Sequence, residues 1–208
     1  VMTHYRWLQG MAGMGQLTLR LHPDDVLYTP LPLYHNNALT VSWATVLGAG
    51  ACLALARKFS ASGFWNDIRQ HNATAFCYIG ELCRYLLNQP PSSQDRNHKV
   101  RVIIGNGLRP DIWREFKQRF GIERIAEFYG ASECNLGFIN TFNVDGTAGF
   151  CPLPFAIVEY DPETEQAVRN RQGFLQKVRT GGVSLLITQI GKRTPFDGYT
   201  DPKKKKKK

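Results

Sequence analysis

The spacing of apolar positions changes from segment to segment along the chain. Residues 4–19 carry apolar side chains at helical intervals, which predicts an amphipathic helix. DVLYTPLPL, residues 25–33, predicts a strand that ends at its prolines. In SASGFWNDIRQHN, residues 60–72, Ser60 stands where a helix N-cap is preferred. ATAFCYIG reads as a short buried strand and GELCRYLLNQ as the helix after it. VRVIIGNG runs from a strand into a glycine turn, and PDIWREFKQRF follows as a helix with Pro110 in its first turn. RIAEFYG is again a strand. Strand, glycine-bearing loop, helix and strand in alternation predict an α/β fold with a parallel sheet flanked by helices. After about residue 150 the pattern changes. FAIVEYDPETEQAVRNRQGFLQKV predicts antiparallel strands joined by polar turns, and GVSLLITQI one more strand. The expected organisation is therefore an α/β region over residues 1–150 and a more antiparallel, β-rich subregion over 151–202. No internal repeat is visible.

One apolar run, ALTVSWATVLGAGACLALA at residues 38–56, approaches the ~20 residues that a membrane-spanning helix needs. Thr40, Ser42, Thr45, Gly48 and Gly50 interrupt it. It predicts a buried helix of roughly ten residues, a glycine turn and a short buried strand.

Composition adds a core and little else. The 208 residues are 43% hydrophobic and 12% aromatic, enough to bury a core and too apolar for disorder. The formal net charge is +9, of which six charges are Lys203–Lys208, leaving +3 on the rest. Interleaved basic and aromatic runs are absent, so no nucleic-acid partner is expected. Five cysteines, with no C-x-x-C pair, predict reduced thiols, several of them buried. With no secretory signal expected, the location predicted is intracellular, cytoplasmic or peripheral on a membrane. The lysine run is expected to be an artefact or a tag rather than a functional tail.

Candidate chemistry gathers after three predicted strands. In open α/β sheets, ligands bind at the carboxyl ends of the strands. GNGLRP, residues 105–110, follows one strand, and Gly105 and Gly107 could let a flat ring lie against the backbone. A tight strand-to-helix turn explains the same glycines. YGASE follows the next strand and brings together a stacking ring, a hydroxyl and a hard carboxylate oxygen of the kind magnesium takes. LPLYHNNAL places His35 at a third strand end, either as a site residue or as a satisfied structural histidine.

These stretches, in this order, resemble a known family. YGASECN is similar to the Y-G-x-[ST]-E motif of the adenylate-forming enzymes, the acyl-CoA synthetase superfamily. GNGLRPDIW, KFSASGFW, YIGELCRYLLNQP and FDGY together resemble its fatty acid transport protein and very-long-chain acyl-CoA synthetase branch. The resemblance runs over about residues 1–202 and implies part of the large N-terminal, AMP-binding domain. It implies that Tyr129 packs on adenine beside Gly130 and Ala131, that Ser132 contacts phosphate, and that Glu133 helps to hold Mg2+. Gly105, Asn106 and Gly107 would border the adenine, and His35 would stand near the reacting carboxylate and α-phosphate. The implied substrates are ATP, a long-chain fatty acid and coenzyme A. The implied reaction is adenylation of the acid followed by thioesterification. The family's phosphate loop would precede Val1, and its ribose-binding aspartate, hinge and C-terminal lysine would follow residue 202, so the 208 residues by themselves are expected to be inactive. Two further readings are a fatty acid uptake or membrane-surface lipid-binding protein and a nonfunctional truncated product.

Overall fold

The structure, a computed structural model, describes residues 2–131, 134–192 and 194–196. The described chain divides into two compact units, Val1–Ser132 with Gly137–Phe150, and Glu133–Leu136 with Cys151–Lys208.

The first unit is built on a six-stranded sheet in the order β2-β1-β3-β4-β5-β6. Its strands are β1 (Val26–Thr29), β2 (Cys52–Leu55), β3 (Ala75–Ile79), β4 (Val102–Asn106), β5 (Arg124–Gly130) and β6 (Gly137–Ile139). β1 to β5 are parallel, and β6 returns antiparallel to β5. Parallel strands have both faces covered, which is why β3 and β4 read as almost unbroken apolar runs. Phe76, Tyr78, Ile103 and Ile125 point to one face, against Ile68, Leu82, Leu86, Trp113 and Phe116 of the helices Phe64–Gln70, Gly80–Leu87 and Pro110–Phe120. Ala75, Cys77, Val102, Ile104 and Ala126 point to the other face, against Leu19, Val41 and Val46. The alternation of side chains along each strand produces this three-layer sandwich.

The second layer of helices comes from the two segments read as amphipathic or apolar. Residues His4–Gly10 are α-helical, and the chain continues as a wider π-turn from Met11 to Leu19. Asn37–Ala44 is also π-wound and runs into the α-turn Thr45–Ala49. The chain then turns at Gly50 into β2, so the run 38–56 is helix, turn and strand as expected. The strand itself is not buried: Cys52 is exposed and Leu55 is 48% exposed. β2 pairs with β1 alone, at one end of the described sheet, and the expectation of a buried strand gives way to that position. Among the described residues no helix is long and apolar enough to cross a membrane.

Ser60 also departs from expectation. The helix begins at Phe64 with Gly63 at the cap, and the Ser60 hydroxyl accepts from the Gly63 N–H at 3.2 Å. A turn intervenes, so Ser60 caps that turn and not the helix.

The second unit holds two antiparallel pairs, as its pattern predicts. β7 (Phe155–Val158) pairs with β10 (Leu185–Thr188), and β8 (Tyr160–Asp161) with β9 (Gln166–Ala167).

Candidate functional site

The carboxyl ends of β1, β3, β4 and β5 lie at one edge of the first unit, because these strands are parallel and adjacent. Three of the sequence candidates stand there.

His35 lies in the connection from β1 to the helix Asn37–Ala44. Its backbone N–H donates to the Pro32 carbonyl at 3.0 Å, and its own carbonyl accepts from Leu39 N–H at 2.9 Å. The imidazole is exposed and leans against the Tyr34 ring, centroids 4.7 Å apart. Two residues on, Asn37 ties this connection to the next loops. Its side-chain amide donates to the Tyr78 carbonyl at 3.2 Å and to Asn106 Oδ1 at 2.9 Å. Its Oδ1 accepts from the buried Cys77 thiol.

The GNG segment is not a free loop throughout. Gly105 and Asn106 belong to β4, in register with Tyr78 and Ile79 of β3, and Gly107 turns out of the sheet with φ +82°. A flat ring does lie over Gly105, and it is the protein's own. A Cβ at position 105 would sit 2.6 Å from Tyr78 Cγ and 2.2 Å from the Tyr78 carbonyl oxygen. The Tyr78 ring thus occupies that face of Gly105, while Asn106 and Gly107 are exposed at the strand end.

Tyr129 and Gly130 likewise extend β5, because β6 pairs with them: Tyr129 faces Phe138 and Gly130 faces Gly137. The Tyr129 ring is 53% exposed and meets Phe138 edge-on at 6.2 Å. Nothing lies within 4 Å of a Cβ built on Gly130. Ala131 follows, exposed. Ser132 and Glu133 lie outside the described residues.

One acid in this region drew no notice in the sequence. Glu127 stands two residues before Tyr129 and is only 7% exposed. The Tyr78 hydroxyl donates to its Oε2 at 2.5 Å. The Gly107 N–H donates to Oε1 at 2.5 Å, and the Leu108 N–H at 3.2 Å. Burial pushes the Glu127 carboxyl above its ordinary value, and these three hydrogen bonds offset part of that rise. Burial, together with the negative charge of Glu127, drives the Tyr78 phenol well up. The available signal was a lone acid inside the otherwise apolar strand RIAEF.

Among the described residues no group of three or more His, Cys, Asp or Glu stands together as a metal cage. Cys77 and Cys83 are buried, and burial pushes the Cys77 thiol up to about 12.

Comparison with known proteins agrees with this architecture. A family model described as AMP-binding enzyme matches residues 1–175. The chain is 55% identical over 208 residues to the medium/long-chain-fatty-acid–CoA ligase FadD6 of Mycobacterium tuberculosis, covering 100% of this chain and 35% of that protein. It is 46% identical over 209 residues to human long-chain fatty acid transport protein 5, covering 98% of this chain and 30% of that protein. The chain thus spans about a third of the length of these relatives. In structure it is similar to ATP-bound MatB from Rhodopseudomonas palustris, with TM-score 0.69 and 23% identity over 96% of this chain and 37% of the other. With a mostly parallel sheet flanked by helices, and a family match over most of its length, the chain belongs to the AMP-binding enzyme family.

Proposed function

We propose that this chain is part of the adenylation domain of a long- or very-long-chain fatty acid–CoA ligase. In the first step a fatty carboxylate oxygen attacks the α-phosphorus of ATP, giving acyl-AMP and releasing pyrophosphate. In the second, coenzyme A sulfur attacks the acyl carbon, loses its thiol proton and displaces AMP. The observation that carries this reading is the Asn37–Asn106 hydrogen bond, 2.9 Å long. It joins the His35 connection after β1 to the GNG turn after β4, across the end of β3 between them, which supports an acyl-phosphate subsite close to a base subsite.

Roles for the described residues draw on where they stand, and those of Ser132 and Glu133 on the YGASE motif alone. The exposed ring of Tyr129 stacks on adenine, with Gly130 and Ala131 leaving room for close approach. Asn106 and Gly107 border the base, and Gly105 serves them through the packing of Tyr78. His35 approaches the reacting carboxylate and α-phosphate. The Ser132 hydroxyl donates to a phosphate oxygen. The first step brings two anions together, so charge neutralisation dominates its barrier. Magnesium usually takes one or two carboxylates plus substrate phosphates; Glu133 would supply one such carboxylate, and the bound ion would supply part of that neutralisation. No covalent nucleophile is required of the chain.

The test uses the intact protein with ATP, coenzyme A and long-chain fatty acids. Fatty-acid-dependent ATP–pyrophosphate exchange and acyl-CoA formation are expected, and the absence of both would sink the proposal. Association with a membrane surface is a further part of the reading, supported by relatives named as fatty acid transport proteins. Co-sedimentation with phospholipid vesicles, with and without residues 203–208, separates specific binding from attraction by the lysines.

A further inference from the structure

Glu127 takes no part in the steps above, and its burial demands a reason. A carboxylate out of water is costly unless it is paired and hydrogen-bonded. Its recorded partners are a hydroxyl and two backbone amides. An apolar residue would fill the same place in the core more simply.

The strand register shows what the acid achieves. Tyr78 is paired with Gly105, and Gly105 with Glu127, so three neighbouring strands present these residues to the same face. Gly105 offers no side chain, and the Tyr78 ring crosses the gap to reach Glu127. From beyond the strand end, Gly107 and Leu108 point their N–H groups at the same carboxyl. The Gly107 carbonyl is packed so tightly on Gly80 that a Cβ at position 80 would lie 1.7 Å from it. Asn37 holds the Asn106 side chain. The turn is therefore fixed at its side chain, its amides and its carbonyl, and Glu127 supplies the amide anchor.

We propose that Glu127, with Tyr78 lying across Gly105, is a positioning residue for the nucleotide site. It holds the Asn106–Leu108 turn in the shape that receives the base of ATP and does not touch the nucleotide. This deepens the adenylation reading and rests on it. Because both amides are already committed to Glu127, the turn meets the base with other groups.

The experiment compares intact wild-type protein with Glu127→Gln, Glu127→Ala and Tyr78→Phe, using two readouts. The first is hydrogen exchange over residues 105–109, expected to be about tenfold faster or more in Glu127→Ala, with exchange in β1 unchanged. The second is steady-state kinetics. KM for ATP is expected to rise about tenfold in Glu127→Ala, with KM for fatty acid and coenzyme A unchanged and a smaller loss in kcat. Glu127→Gln is expected to recover part of that loss, since its amide oxygen still accepts from the two N–H groups. Tyr78→Phe is expected to show a smaller rise. If Glu127→Ala does not fold, the other two variants carry the test. Unchanged exchange and unchanged KM for ATP would overturn the proposal, as would equal rises in KM for all three substrates. A wild-type protein that releases no pyrophosphate would instead refute the adenylation reading, whereas failure of this proposal requires an active wild type.

Discussion

Asp25 allows a prediction with both a magnitude and a sign. It opens the first strand of the sheet with its side chain 8% exposed. Its Oδ2 accepts from His22 N–H at 2.7 Å and from Arg101 Nη2 at 2.5 Å, and its Oδ1 from the Thr74 hydroxyl at 2.6 Å. Thr74 in turn accepts from Val26 N–H at 3.1 Å, so one carboxylate organises the start of β1 and its junctions with β3 and β4. Asp25→Asn keeps the shape and removes the charge. The His22 bond becomes a neutral one and the Arg101 ion pair becomes a bond from a charged donor to a neutral amide oxygen, at about 1 kcal/mol each, and the Thr74 proton loses its acceptor, at about 1 kcal/mol more. Relief of carboxylate burial returns part of this sum, and Arg101 is a third exposed and screened. The net expectation is about 2 kcal/mol, or about 4–8 °C in Tm for a chain of this size.

The pH dependence follows from the direction of the Asp25 shift. Burial alone would raise this carboxyl, but the bonds from Thr74, His22 and Arg101 outweigh it and hold it below its ordinary 3.8. A depressed carboxyl stabilises the fold above its unfolded value and loses that contribution as pH falls through its folded value. The gap between wild type and Asp25→Asn should therefore be full at pH 7 and close below about pH 4. Urea unfolding followed by far-UV circular dichroism at pH 7, 5, 4 and 3 measures it. A gap under 0.5 kcal/mol at pH 7, taken as about the scatter of surface substitutions, or a gap that persists unchanged into acid, would refute the reasoning.

Other outcomes are equally specific. Glu133→Gln in the intact protein should lower ATP–pyrophosphate exchange by about 10²–10³ with the fold preserved, the usual loss when one charge-stabilising group goes; undiminished exchange would remove its magnesium role. Gly105→Ala should cost about 3 kcal/mol in chemical denaturation, because its Cβ would meet the Tyr78 carbonyl oxygen at 2.2 Å; a neutral substitution would show that β3 and β4 separate easily. In native protein, Cys52 should react with a thiol reagent within minutes while Cys77 and Cys83 react only on unfolding, since the first is exposed and the others are buried. Fast labelling at Cys83 would contradict the packing of the helix Gly80–Leu87.

The sequence by itself determined the order of elements in the sheet-forming region. Buried parallel strands have to be apolar on both faces, so AFCYI and VRVII declared themselves, and glycine or proline marked their ends. It also determined that residues 38–56 form a helix, a turn and a strand, because glycine and hydroxyl residues break that run at turn spacing. It identified the family, because YGASE and GNGLRP are local motifs whose residues are adjacent in the chain. What tertiary structure decided was everything that depends on neighbouring strands. Tyr129 and Gly130 end the strand RIAEFYG as its pattern predicted, but that β6 returns antiparallel to pair with them was not legible in the sequence. β2 is exposed because it pairs on one side only. The flat ring over Gly105 is Tyr78, and the acid that anchors the turn is Glu127, twenty-two residues from Gly105 in sequence and its direct partner in the sheet. Period and composition are local quantities; register across strands is not, and it is register that brought Tyr78, Gly105 and Glu127 together.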